Sequence, residues 1–257
     1  MANKTTPTID FGFEDVPVAD KRAKVREVFD SVAGSYDRMN DAMSLGIHRA
    51  WKTMTVTKIN PQPGELLIDV AGGTGDLARR FCQQAEEKRK RRGGDPARAV
   101  ICDINAEMVL AGINVRKDYG LDLHRTVGNA ECLPFADSVA DAIIISTGIR
   151  NVTDREAALR EFHRVLKPGG RLGVLEFSQP PGKALRTVYD LYSFNIMPRL
   201  GSMIAGDRES YQYLVESIRR FPPPEQFAVM MEEAGFSRVG WDAYSGGICN
   251  LHMGWKI

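Results

Sequence analysis

The residues of this chain best suited to chemistry sit where apolar runs end. Gly72-Gly73-Thr74-Gly75 follows an apolar run over 66–70, Asp69 lies inside that run, and Asp76 opens a helical pattern after it. Glycines at such a place let the backbone bend sharply and let a ligand lie against it with no Cβ in the way. The helix start beyond them offers unpaired N–H groups. A dinucleotide would put its pyrophosphate there under a G-x-G-x-x-G pattern. Gly73 and Gly75 supply the first half of that pattern, and Ala78 stands at its third glycine. Asp69 and Asp76, however, repel a pyrophosphate and attract a cation. The sulfonium and ammonium of S-adenosylmethionine (SAM) suit that field. A tight strand–helix turn with no ligand is the plainer alternative.

Three further polar sets also close apolar runs. Asp103 ends the run 98–103, where an acid can accept both hydroxyls of a ribose, in a nicotinamide dinucleotide or in SAM alike. Gly128-Asn129-Ala130-Glu131 follows the third run, where a backbone N–H and a side-chain amide can read an adenine edge. Ser146-Thr147-Gly148-Ile149-Arg150-Asn151 follows the fourth. Capping or turn chemistry explains each residue singly. Together, at four strand ends, they point to one ligand site, because open α/β sheets bind ligands outside the carboxyl ends of their strands.

The elements that position these residues follow from periodicity. Strands are predicted over 66–70, 98–103, 121–127, 140–146 and 171–177, the fourth so apolar (Ile143-Ile144-Ile145) that both its faces must be buried. Helices alternate with them over 76–92, 106–119 and 153–166, the last with Thr153 as N-cap and Glu156 completing a capping box. Residues 1–20 read as a loose arm whose Phe11, Phe13 and Val16 dock on the body. Amphipathic helices follow over 21–36 and 47–59, ahead of the first strand, so they form a cap. After the fifth strand the rhythm changes to an apolar, aromatic stretch over 185–203 and another over 211–218, read as inserted helices. Pro224 and Glu225 open a helix to about 234. Strands over 235–244 and 248–256 meet at a short turn and are therefore antiparallel.

Composition narrows the function. The 257 residues are 43% hydrophobic and 26% charged, enough for one sizeable domain and a small appendage, and the net charge of +1 gives no electrostatic case for nucleic acid. The basic run Lys88-Arg89-Lys90-Arg91-Arg92 reads as a solvated helix end. Cys82, Cys102, Cys132 and Cys249 are far apart and make no metal-ligand pattern, so they are expected to be reduced, mostly buried thiols of a cytoplasmic protein with no metal site. The polar N-terminus is not a signal peptide, and no apolar run is long enough to span a bilayer, so membrane contact is expected to be peripheral.

The chain resembles the ubiquinone/menaquinone biosynthesis C-methyltransferases. The matching segments are Val28-Phe29-Asp30-Ser31-Val32-Ala33, Tyr36-Asp37-Arg38-Met39-Asn40-Asp41, Gly46-Ile47-His48-Arg49, residues 69–76, Gly128-Asn129-Ala130, Gly148-Ile149-Arg150-Asn151-Val152-Thr153-Asp154 and residues 166–170. The resemblance runs from about Phe11 to the C-terminus. The segments at 36–41 and 148–154 are far more particular to that family than the nucleotide-binding ones. Thr147 departs from the family, which carries an aromatic residue there. The expected fold is the class I SAM-methyltransferase (Rossmann-like) one: a seven-stranded, mostly parallel sheet with a C-terminal antiparallel hairpin, an N-terminal helical cap and a helical insertion after strand five. The expected division is 1–60 for the arm and cap, and 61–257 for the SAM-binding domain with the insertion at about 183–221.

The resemblance implies SAM contacts at Thr74, Asp103, Asn129, Ala130 and Ser146, to which the glycine turn adds Gly72. It implies a polyprenyl benzoquinol or demethylmenaquinol acceptor methylated on a ring carbon. Peripheral contact with the inner membrane, a quinone-biosynthesis complex and a homodimer are compatible partners. The chemistry needs an electron-rich ring, in-line positioning and loss of a ring proton. Arg150, an unsuitable free base, is expected to stabilise the phenolate or orient a water, helped by Asn151 and Tyr36; its alternative is to pair with Asp37 or Asp41 and hold the cap closed. Among His48, His124, His163 and His252, only His48 sits in the cap segment. A non-catalytic SAM-binding scaffold and a nicotinamide oxidoreductase are the competing readings, and the acids around the glycine turn oppose the second.

Overall fold

The computed structural model describes residues 7–32, 41, 44, 46–113, 120–196 and 208–257. Tyr36 and Asp37 lie outside these residues. A two-stranded hairpin, β1 (Thr8–Phe11) and β2 (Glu14–Pro17), leads into helix α1 (Val18–Val32), and α2 (His48–Ile59) follows. The main layer then alternates: β3 (Leu66–Val70), α3 (Asp76–Arg92), β4 (Arg98–Asp103), α4 (Ala106–Ile113), β5 (Asp122–Val127), β6 (Ala140–Ser146), α5 (Arg155–Val165) and β7 (Leu166–Phe177). Helix α6 (Lys183–Leu191), extended by a wider π turn over Tyr192–Ile196, and α7 (Arg208–Arg220) form the insertion. Helix α8 (Pro224–Glu233), β8 (Ser237–Tyr244) and β9 (Cys249–Trp255) complete the chain.

The seven strands lie in the order β5-β4-β3-β6-β7-β9-β8. The first five are parallel; β9 runs antiparallel to both β7 and β8. The terminal hairpin thus docks through its last strand, which enters the sheet between β7 and β8. Alternation along the central strands fills two cores. Leu67 and Ile144 face one side with Trp51, Val56 and Ile59 of α2 and Phe81 of α3. Ile68, Val70, Ile143 and Ile145 face the other with Phe162 of α5 and Phe227 of α8. Two-sided burial is why these strands read as unbroken apolar runs.

Local expectations change in several places, the fifth strand beginning at Leu166 rather than Arg171. Residues 8–17 of the N-terminal arm form a hairpin and the helix begins at Val18, not Lys21; Val16 is buried and Phe11 stacks on Tyr213 of α7 with ring centroids 4.3 Å apart. The N-cap of α5 is Asp154, whose Oδ1 accepts the Ala157 N–H at 2.8 Å, rather than Thr153. An aspartate one residue nearer the helix satisfies an orphan donor of the first turn and adds a favourable charge at the dipole's positive end.

Candidate functional site

A cavity opens above the carboxyl ends of β3, β4, β5 and β6, roofed by α1 and α2. Gly72, Thr74, Asp103, Asn129, Ala130, Ser146 and Asn151 all line it, so the structure gathers seven of the nine residues singled out in the sequence. Arg150 does not line it, and Tyr36 lies outside the described residues.

The floor is the glycine turn. The Gly75 N–H donates to the Gly72 carbonyl at 2.8 Å, which closes the turn. Gly75 has φ +83°, and a Cβ on it would come within 2.7 Å of Ile101 Cδ1, so both conformation and space demand glycine. Asp69 lies directly beneath, 1% exposed. Its Oδ2 accepts the Ala78 N–H at 3.1 Å, while Oδ1 has no hydrogen-bond partner among the described residues. Burial, opposed in part by that bond and by the charge of Lys52, pushes its carboxyl up to about 7. Asp103 is also buried: its Oδ2 accepts the Gly73 N–H and its Oδ1 the Asn105 N–H, each at 2.9 Å, and burial outweighs these bonds and raises its pKa. Asn129 shapes the next loop, its Oδ1 accepting the Glu131 N–H at 3.1 Å. Ser146 Oγ is a second buried polar atom without a partner among the described residues.

At the end of β6 the chain turns through a short 3₁₀ segment, Ile149–Asn151. Arg150 is 3% exposed and ion-paired with Glu176 at the end of β7, Nη1 to Oε1 2.5 Å. The same nitrogen donates to the Thr147 carbonyl at 2.8 Å. Arg150 is therefore not the partner of Asp41, whose carboxylate meets Arg49 at 2.7 Å. Asn151 does face the cavity; its Oδ1 accepts from the Tyr213 hydroxyl at 3.0 Å and its Nδ2 is a buried donor without a partner among the described residues.

None of His48, His124, His163 or His252 lines the cavity. His48 Nδ1 meets Ser44 Oγ at 2.9 Å, and burial lowers its pKa. His252 is buried against the Pro224 carbonyl, and that burial takes it down to about 4. Among the described residues there is no group of three or more metal-ligating side chains, and no helix long and apolar enough to cross a membrane.

Several cavity residues went unnoticed in the sequence. Lys52 of α2 and Arg22 of α1 come from the roof, distant along the chain from the strand ends that line the cavity. Outside the cavity, Glu176 carries a legible signal: an acid inside the apolar run 172–177 needs a buried counter-charge.

A profile of the ubiE/COQ5 methyltransferase family matches residues 18–256. A protein from Caulobacter sp. (strain K31) named ubiquinone/menaquinone biosynthesis C-methyltransferase UbiE is 53% identical, over 98% of this chain and 100% of its own. The Gallus gallus 2-methoxy-6-polyprenyl-1,4-benzoquinol methylase, mitochondrial, is 46% identical over 98% of this chain and 90% of its own. Among solved structures, a SAM-dependent methyltransferase from Thermotoga maritima superposes with a TM-score of 0.61 at 20% identity, covering 90% of this chain and 99% of its own.

Proposed function

Because the chain belongs to the ubiE/COQ5 methyltransferase family, we propose that it transfers a methyl group from SAM to a ring carbon of a polyprenyl benzoquinol, a demethylmenaquinol, or both. The observation that carries this reading is the convergence of Thr74, Asp103, Asn129, Ala130, Ser146 and the glycine turn on one cavity. Its residues fit SAM on chemical grounds. Asp69 Oδ1 and Ser146 Oγ are buried oxygens without partners among the described residues, and acids on the floor suit a ligand carrying a sulfonium and an ammonium.

When bound, SAM supplies an electrophilic methyl group on a positively charged sulfur. The chain supplies the positioning. Asp103 is assigned to the ribose hydroxyls, Asn129 and Ala130 to the adenine edge, and Asp69 to the ammonium. Asn151 Nδ2 is assigned to the ring oxygen of the acceptor, with Tyr213 fixing the amide's orientation from behind. Arg150 is assigned an indirect part: it holds the loop that carries Asn151. Tyr36 stays in the proposal as a helper in the acceptor chemistry, and residues 1–60 as the arm and cap over the domain 61–257. The proton leaving the ring carbon passes to water.

An acceptor with a polyprenyl tail calls for peripheral membrane contact. Leu185, Val188, Leu191 and Phe194 recur at helical spacing and are all exposed on the insertion, beside the exposed Lys183 and Arg186. Such a row with flanking cations suits an anionic lipid surface. A quinone-biosynthesis complex and a homodimer belong to the same proposal, and light scattering on the purified chain reads the latter.

The test is methyl transfer from labelled SAM to two short-chain acceptors, a demethylmenaquinol and a 2-methoxy-6-prenyl-1,4-benzoquinol. Label in either supports the reading, and the pair settles the acceptor's breadth. Tight SAM binding without label in either contradicts it and favours the scaffold reading.

A further inference from the structure

The roof of the cavity contributes a cation that the assignments above leave unused. Lys52 sits on α2, lines the cavity and is 13% exposed at its side chain. Its Nζ lies 3.2 Å from Asp76 Oδ2 at the start of α3. Asp76 is not Lys52's alone, because Arg80 Nε approaches its other oxygen, Oδ1, at 3.1 Å. Burial opposes ionisation of Asp76, but the two cations together hold its pKa below the usual carboxylate value. Asp76 thus has a second cationic partner and stays neutralised when Lys52 turns to another anion.

The direction of the bound donor follows from the strand order. Asp103 ends β4, and Asn129 and Ala130 follow β5, the edge strand. Ribose at the first and adenine at the second run the nucleoside toward the sheet edge. The amino-acid end must then extend the other way, over Gly72–Asp76. There it meets Asp69, suited to an ammonium, and Lys52. The other cavity cations lie on α1 and are exposed: Arg22 pairs with Glu131 at 3.6 Å, beside Ala130 and thus at the adenine end, and Arg26 lies one turn further along α1.

Resting on the methyl-donor reading, we infer that Lys52 receives the carboxylate at the amino-acid end of the donor. It thereby selects an adenosyl ligand with an intact amino-acid carboxylate over one without it. Lys52 exchanges or shares its contact with Asp76 when the ligand arrives, and Arg80 keeps Asp76 partnered. Cofactor binding is thus read by the roof as well as by the strand ends.

The experiment is calorimetric binding of S-adenosylhomocysteine and of its decarboxylated analogue to the wild-type chain, to Lys52→Met and to Lys52→Arg. The wild type is expected to prefer the carboxylated ligand by about ten- to a hundredfold, the worth of a buried charge-assisted hydrogen bond. Lys52→Met is expected to lose that preference while binding the decarboxylated ligand as the wild type does, and Lys52→Arg to keep most of it. Equal weakening of both ligands by Lys52→Met would mean that Lys52 only ties the roof to Asp76, and overturns the inference. So does unchanged preference. Failure of the wild type to bind either ligand overturns the donor reading itself, which separates the two.

Discussion

Replacing Arg150 by Met tests how the end of β6 is held. The guanidinium and the Glu176 carboxylate are 3% and 1% exposed, and their closest atoms are 2.5 Å apart. Removing one partner of such a buried pair costs about 3–5 kcal/mol, because the other charge is left without its counter-ion. Glu176 would keep two backbone donors, the Phe177 N–H at 2.9 Å and the Arg150 N–H at 3.4 Å, which places the loss at the lower end, about 3 kcal/mol. For a chain of this size each kcal/mol lowers Tm by about 2–4 °C, so a fall of about 6–12 °C is expected by calorimetry. Glu176→Met strands the arginine instead, leaving it, among the described residues, neutral partners such as the Thr147 carbonyl, the Ser217 hydroxyl at 3.3 Å and the Phe177 ring; it should cost more. The double variant Arg150→Met/Glu176→Met removes both charges and should regain most of the loss, since apolar replacement of a whole buried pair is often neutral. A single variant within 1 °C of the wild type would refute the buried-pair reasoning. The double variant also divides the roles of Arg150: regained turnover with regained stability makes it a holder of the loop, whereas regained stability without turnover makes it part of the chemistry.

Three further outcomes are expected. Asp69 titrates near 7 when folded against 3.8 ordinarily, so between those values the folded state binds more protons and stability falls as pH rises, by up to about 1.4 kcal/mol per pH unit; Asp69→Asn should flatten that slope in denaturant melts, and wild-type SAM affinity should rise through pH 7 as the carboxylate forms. Gly72→Ala would set a Cβ 2.8 Å from both the Cγ and the carbonyl oxygen of Asp69, and since the backbone cannot yield like a side-chain tip, SAM affinity should drop about tenfold or more, measured by titration calorimetry; an unaltered affinity would mean the turn is not the ligand's floor. Asp10→Asn removes the carboxylate that meets both Lys21, 1% exposed, and Arg155, each at 3.3 Å, so proteolysis within α1 should accelerate, and an unchanged cleavage rate would dismiss this clasp.

The sheet and its ligand-bearing ends were legible because both signals are local. An apolar run such as Ile143-Ile144-Ile145 reports burial on two faces, and a glycine cluster or an acid at the run's end reports what the next residues must do. The order of the strands was less so: that β9 enters beside β7 depends on cross-sheet pairing such as Val174 with His252, which no local pattern encodes. The N-terminal hairpin escaped for a similar reason. Thr8–Phe11 and Glu14–Pro17 are too short and polar to read as strands, and they are stabilised by partners some two hundred residues away, Phe11 on Tyr213 and the Phe13 N–H on Glu216. Lys52 shows the same limit within the site. Its importance lies in facing Asp76 across the roof, and a lysine beside a tryptophan on an amphipathic helix is otherwise unremarked.

Arg150 and Asn151 show why a strand-end segment identifies a site before it identifies the acting side chain. A 3₁₀ turn has three residues per turn, so consecutive side chains point about 120° apart. Ile149 goes into the core, Arg150 toward Glu176, and Asn151 into the cavity. The first two are anchors of different kinds, one apolar and one ionic, on either side of the backbone that carries the third. Tyr213 then fixes the amide from the insertion. On the proposed reading the short turn is a mount: Ile149 and Arg150 set where Asn151 begins, Tyr213 sets how its amide is turned, and Nδ2 is the group assigned to the acceptor. On this account Tyr213→Phe should lower the turnover number while sparing SAM affinity, because it frees the amide to rotate without touching the strand ends. Equal losses in SAM affinity and turnover would instead assign Tyr213 to holding the insertion against the body.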